Sequence, residues 1–167
     1  MINKSKTVLI LGANSDVAKE CILLYLKKGY FVIAASRNLE SLQQFVEEND
    51  LNSTQILLEY FDAVATETHH EFYLNLPSKP HIVIYAAGFL RENAEALQNF
   101  EAAHQMMKFN NISAVSNLNI VAMDESNKNL ERIIGLSSLS GVRGRKSNFI
   151  YGSTKAAFTT YLAGLRQ

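Results

Sequence analysis

A doubly wound α/β fold, a parallel sheet in the middle layer with helices on both faces, is the fold class this 167-residue sequence predicts. Three observations point to it. Short apolar runs alternate with longer stretches of helical period along the whole chain. The first apolar run stops at a glycine that opens directly into a helical pattern. The intervals between runs are long enough for crossover helices, which parallel strands need and hairpins do not.

Taken in order, Thr7 to Leu11 (TVLIL) reads as a buried strand ending in Gly12, followed by Ala13-Asn14-Ser15-Asp16 and then Val17, Cys21, Leu24 and Tyr25 at helical spacing. Gly29, after Lys27 and Lys28, closes that helix, and Phe31 to Ala35 is the second strand, completing a βαβ unit. A helix is expected from about Leu39 to Glu48, a strand near Thr54 to Glu59, a helix near Ala65 to Leu76, and a strand at Ile82 to Ala86. Pro77 and Pro80 bracket the connection into that fourth strand. Glu92 to Met123 reads as a long helical stretch interrupted in pattern near Ala103. The fifth strand is Arg132 to Leu136, and the last helix begins at about Tyr151. Residues 1–167 are read as one domain, without repeats or linkers.

Composition narrows the function classes. Sixteen basic residues balance sixteen acidic ones, so the chain carries no electrostatic footprint for nucleic acid or an anionic membrane. One cysteine, Cys21, excludes an internal disulfide framework, and no long apolar segment suggests membrane insertion. His69, His70, His81 and His104 lack metal-ligand spacing, so no metal is expected. The expectation is a cytoplasmic protein whose partners are small molecules and copies of itself.

The chemistry-bearing stretch is Tyr151-Gly152-Ser153-Thr154-Lys155. Tyrosine and lysine four apart share one face of a helix. A free phenol titrates near pH ~10 and moves protons poorly at neutrality, whereas a fixed cation beside it favours the phenolate. Ser138 follows the fifth apolar run, so a serine leaving a strand and a tyrosine opening the next helix can point at one carbonyl oxygen. The stretch from Leu136 to Ala157 resembles the active-site segment of the short-chain dehydrogenase/reductase family. Asn110 stands where that family keeps its fourth catalytic residue; read without the resemblance, it is a helix-interior asparagine on a wet face. The resemblance implies a Rossmann-type fold and hydride transfer between a nicotinamide and a carbonyl. In that scheme Tyr151 handles the proton, Ser138 holds the oxygen, Lys155 binds the ribose, and Asn110 kinks the long helix and completes a proton path through water. The competing class is a non-catalytic nucleotide-binding or interaction protein of the same fold.

For the nucleotide, Gly12, Asn14, Ser15, Asp16 and Val17 lie where a pyrophosphate meets a helix N-terminus, whose amides and dipole attract anions. Asp16 is expected to turn toward those amides as a cap. The second strand ends in Ser36-Arg37 with no acid, which suits a 2′-phosphate and predicts NADP(H), with NAD(H) as the second choice. The resemblance adds Asp62 as the adenine-contacting acid and Ala87-Gly88 as a close backbone approach. Tyr85-Ala86 stands where the family usually has two asparagines.

Phe100, Phe109 and the Met106-Met107 pair read as core or subunit contact. Arg143-Gly144-Arg145-Lys146 reads either as a solvated loop or as the receiver of a phosphate-bearing substrate, and Ser140 to Tyr151 resembles reductases acting on keto-sugars. An apolar last helix predicts a homodimer or homotetramer. The resemblance covers the chain but only about two thirds of the family's domain. The polypeptide ending at Gln167 is therefore expected to lack activity and to have an exposed sheet edge at its fifth strand.

Overall fold

The computed structural model of the protein describes residues 6–166. Five strands, β1 (Thr7–Leu11), β2 (Phe31–Ser36), β3 (Ile56–Tyr60), β4 (Ile82–Tyr85) and β5 (Arg132–Gly135), form one sheet in the order β3-β2-β1-β4-β5. All pairings are parallel, with Val8 in register with Val32 on one side and Ile82 on the other. Every residue of β1 is buried, which is why it reads as an unbroken apolar run and not as an alternation.

Side-chain alternation splits the strands between two cores. Val8, Ile10, Val32, Ala34 and Ile84 face α1 (Asp16–Lys27) and α2 (Leu39–Glu48). On the other face Leu9, Leu11, Ile33, Val83 and Tyr85 pack against α3 (His69–Leu74), α6 (Ser113–Ala122) and α7 (Phe149–Leu165). The result is the three-layer, Rossmann-type arrangement expected.

Local departures have local causes. The first helix is capped by Ser15, whose Oγ accepts from the Ala18 amide at 3.3 Å, and not by Asp16, which is already helical and exposed in the first turn. Both residue types cap well, and the one whose backbone stays extended takes the role. The third helix is short, with a 3₁₀ turn at Thr66–Thr68 ahead of α3. The long helical stretch does not break at Ala103, which is buried inside a helix. It breaks at Asn99, between α4 (Asn93–Gln98) and α5 (Phe100–Met107), where the Asn99 side chain accepts from the Glu101 amide at 3.1 Å. A π-turn, Lys108–Ile112, then joins α5 to α6.

At the sheet's edge, β5 and the end of α7 border a groove of about 620 Å³ lined by Ile133, Gly135, Leu162 and Leu165 among others. The exposed edge expected for the fifth strand is there among the described residues.

Candidate active site

The carboxyl ends of β1, β2 and β4 open on a cleft of about 310 Å³. Strand order reverses between β1 and β4, and ligands of open α/β sheets bind where it does. Gly12, Asn14, Ser15, Ser36, Arg37, Ala87 and Gly88 line it, seven of the residues singled out from sequence. Gly12 has φ +82°, and a Cβ there would lie 2.4 Å from the Ala87 amide nitrogen, so only glycine lets the first turn meet the fourth strand's end. Asn14 donates from Nδ2 to Ser36 Oγ and to the Asn38 carbonyl, both at 2.8 Å, which ties the turn between β1 and α1 to the end of β2. Its Oδ1 is buried and has no partner. Asp16 and Val17 belong to the first turn of α1, are exposed, and do not line the cleft.

Arg37 leans across the opening. Its guanidinium lies 5.2 Å from the Phe109 ring centroid, and its Nε is 3.9 Å from Asp62 Oδ1. Asp62 also accepts from the Val64 amide at 3.1 Å and stands beside the cleft, whose lining includes its neighbours Phe61 and Ala63. Phe61, Ala63, Ala86 and Phe109 were not picked out from sequence as site residues. Phe109, read there as core or subunit contact, is a cleft wall. Its place next to Asn110 is the one signal the sequence holds for it.

Asn110 is fully buried, so its reading as a wet-face asparagine does not hold. Oδ1 accepts from the Phe89 amide and Nδ2 donates to the Phe89 carbonyl, each at 2.8 Å, while Nδ2 also donates to Thr154 Oγ1 at 3.1 Å. Thr154 passes its own proton to the Tyr151 carbonyl at 2.7 Å. The π-turn is thereby fastened both to the segment leaving β4 and to the first turns of α7.

Lys155 is 4% exposed, and its Nζ donates to the Leu136 carbonyl at 2.9 Å. Among the described residues no carboxylate lies within ion-pair distance of it. Burial pushes its pKa down from the ordinary lysine value. The ammonium lies 5.9 Å from the Tyr151 ring centroid, and a Cβ built on Gly88 would be 3.6 Å from both Lys155 Nζ and Asn110 Oδ1. Gly88 thus separates the two from the cleft by the width of one backbone.

Ser138 leaves β5 with an extended backbone, and its Oγ accepts from the Ser140 amide at 3.1 Å, starting a 3₁₀ turn over Leu139–Gly141. That turn rests on α7 at Gly152, where a Cβ would come within 2.5 Å of the Ser140 carbonyl oxygen. Asn148 Nδ2 donates to Ser140 Oγ at 3.0 Å. The turn after β5 and the helix turn bearing Tyr151 are therefore one packed unit. Arg143, Arg145 and Lys146 are exposed on the loop between them, which Asn93 anchors to α4 through a bond from its Nδ2 to the Lys146 carbonyl at 3.3 Å.

These residues fit a dinucleotide. The N-terminus of α1 supplies amides for a pyrophosphate, Gly12 lets the backbone come close, Asn14 holds an unmet buried acceptor, and Lys155 keeps N–H donors beyond the one given to Leu136. Among the described residues no group of three or more His, Cys, Asp or Glu side chains is arranged to hold a metal ion, and no helix is long and apolar enough to cross a membrane.

Comparison with known proteins gives consistent matches. The short chain dehydrogenase family profile matches residues 6–167. An uncharacterized oxidoreductase of Listeria monocytogenes is 24% identical over 99% of this chain and 68% of its own length. The crystal structure of serine dehydrogenase from Escherichia coli superposes with a TM-score of 0.84 at 25% identity, covering 96% of this chain and 74% of that one. The closed form of a serine dehydrogenase complexed with NADP+ superposes with a TM-score of 0.86 at 24% identity, over 96% of this chain and 65% of that one. The chain thus spans between about two thirds and three quarters of the length of these relatives.

Proposed function

Because the chain belongs to the short-chain dehydrogenase family of nicotinamide-dependent oxidoreductases, we propose that it transfers hydride between NADPH and a carbonyl or alcohol substrate, with Tyr151 as acid and base. When bound, the nicotinamide supplies or accepts the hydride; all else falls to side chains of this chain. Ser138 holds and polarises the substrate oxygen, and Tyr151 gives that oxygen its proton or takes it away. Lys155 binds the nicotinamide ribose with its remaining donors and steadies the phenolate with its charge. Asn110, held by Phe89 and Thr154, keeps the π-turn beside these groups and completes a proton path through water.

The single observation that carries this reading is Lys155, a buried cation with one backbone acceptor and no counter-ion among the described residues, set behind the Gly88 wall of the cleft. A lysine kept so has no structural advantage over a methionine unless a ligand uses it.

The finer assignments are part of the same proposal. Ser36 and Arg37 select NADP(H) over NAD(H), while Asp62 contacts the adenine. Arg143, Arg145 and Lys146 favour a substrate bearing phosphate, such as a keto-sugar derivative. The apolar residues of α7 that the sheet leaves half-buried, Ala156, Tyr161, Leu162 and Leu165, pair two copies of the chain, and the protein works in the cytoplasm.

With the polypeptide carried on to the full length of its relatives, NADPH titration followed by fluorescence and then a panel of carbonyl compounds separates an enzyme from a nucleotide binder. Tyr151→Phe should remove turnover and leave NADPH affinity nearly intact. Retained turnover in that variant assigns the proton to another group, and a parent that binds NADPH without turnover supports the non-catalytic alternative. Light scattering at tens of micromolar should return at least a dimer.

A further inference from the structure

We infer that Tyr85 is a positioning residue for this reaction: its hydroxyl holds the π-turn that presents Asn110. The inference rests on the proposed function for its catalytic meaning, but its geometry stands alone. Tyr85 ends β4, is 1% exposed, and meets the ring of Phe158 edge-on at 5.8 Å. Its OH lies 2.8 Å from Ser113 Oγ and 3.2 Å from the Phe109 carbonyl oxygen. Ser113 in turn donates to the Ala63 carbonyl. With the serine proton committed to Ala63, the Tyr85 proton is shared between Ser113 Oγ and the Phe109 carbonyl.

A π-turn widens the helix by one residue, pulls carbonyls out of the regular ladder, and needs support from outside the helix. Phe109 and Asn110 both belong to that turn. Tyr85 grips the backbone at Phe109 from the sheet side, while Asn110 grips Phe89 and Thr154 on the other. The next three residues, Ala86, Ala87 and Gly88, line the cleft, so one short segment contacts both the nucleotide site and the turn.

A phenylalanine would fill the same space. Burying the hydroxyl carries a desolvation cost that only its two acceptors offset, and one of them is the turn itself. Burial also raises the phenol's pKa, so the group remains a donor throughout the neutral range. From the end of β4 the long tyrosine side chain reaches a carbonyl on the far helix.

The test compares the protein with Tyr85→Phe and Ser113→Ala by amide hydrogen exchange and by kinetics with NADPH and a reducible carbonyl. The Phe89 amide, which is bonded to Asn110 Oδ1, reports the asparagine's position directly. In Tyr85→Phe the Phe89 amide and those of residues 109–113 should exchange at least about tenfold faster, while Val8 to Ile10 in β1 keep their protection. kcat should fall about ten- to a hundredfold with the NADPH Kd and the carbonyl KM unchanged. In Ser113→Ala the Tyr85 hydroxyl bonds Phe109 alone while the tie from Ser113 to Ala63 is lost, so residues 109–112 and the Phe89 amide should stay better protected than in Tyr85→Phe. Unchanged exchange at Phe89 in Tyr85→Phe, or an equal rise in β1, overturns the inference. Should Tyr85→Phe not fold, the Tyr85 hydroxyl proton of the parent decides: a slowly exchanging proton close to Phe109 and Ser113 by NMR supports the inference, and one in fast exchange with water overturns it. If the parent turns nothing over, the exchange result still judges Tyr85, and the failure belongs to the proposed function.

Discussion

Asn110 and Thr154, from two helices distant in sequence, share a buried hydrogen bond of 3.1 Å, and Thr154 relays it to the Tyr151 carbonyl. Thr154→Val keeps the volume and strands the Asn110 donor in a dry site. A loss of about 1–3 kcal/mol is expected, read as a fall in Tm of about 2–4 °C per kcal/mol, with reduced turnover and little change in NADPH affinity. Thr154→Ser should restore both. Equal stability of the valine and parent proteins by thermal unfolding would show the bond to be idle.

Lys155 predicts opposite effects on stability and turnover. Lys155→Met removes a desolvated charge that has one backbone acceptor, so turnover should vanish while the protein gains up to about 1 kcal/mol, or about 2–4 °C in Tm. The gain depends on pH. Because the folded pKa is depressed, the parent's penalty is present while the lysine is protonated and fades as pH rises from the depressed folded value toward the ordinary 10.5. Urea titrations at pH 7 and at pH 10 should show the gap between the two proteins narrowing.

Among the described residues Arg37 is held by a 3.9 Å contact to Asp62 and a stack on Phe109, which leaves its guanidinium able to turn to a 2′-phosphate. Arg37→Ala should weaken NADPH about 10- to 100-fold, the loss of a charge-assisted hydrogen bond of roughly 1.5–3 kcal/mol, and leave NADH nearly unchanged. Equal losses for both nucleotides in parallel fluorescence titrations would reject the preference for NADP(H).

Asp124 sits away from the cleft, where hydrogen bonds from Ser126, from Lys79 at 3.1 Å and from the Tyr73 hydroxyl at 3.0 Å hold its carboxyl well below the usual carboxylate range. Burial pushes the Tyr73 phenol up to about 12. A depressed carboxyl stabilises the fold fully above the unfolded value near 4 and loses that contribution as pH falls toward the folded one. Asp124→Asn should therefore be less stable than the parent at pH 6, with the difference shrinking below about pH 4. A constant gap from pH 6 to pH 3 in urea unfolding would contradict it.

Much of the fold was legible because it rests on local pattern. β1 could be read from four apolar residues in a row and the glycine after them, and α2 was placed to the residue from its period. What escaped depends on partners remote in sequence. Nothing near Asn110 indicates that it faces Phe89 and Thr154 and not water. Ser15 and Asp16 are both good caps, and only the backbone at Ser15 decides between them. Asn99 looks like any helical asparagine until its side chain is seen capping α5. Phe109 is apolar and helical, the signature of a core residue, yet the π-turn brings it to the cleft.

The pairing of Val8 with Val32 on one side and Ile82 on the other also governs how the chain reaches its native state. The half-sheet β1-β2-β3 joins strands that are consecutive in sequence, whereas the second edge of β1 is filled only by β4, across a longer loop that costs more entropy to close. Until β4 docks, β1 has an unpaired apolar edge of the kind that invites pairing by other chains. Gly12 and Ala87 meet only when β4 docks, so the nucleotide cleft and the last central pairing are completed together. A nucleotide that binds this cleft would therefore stabilise, by mass action, only chains that have passed that step.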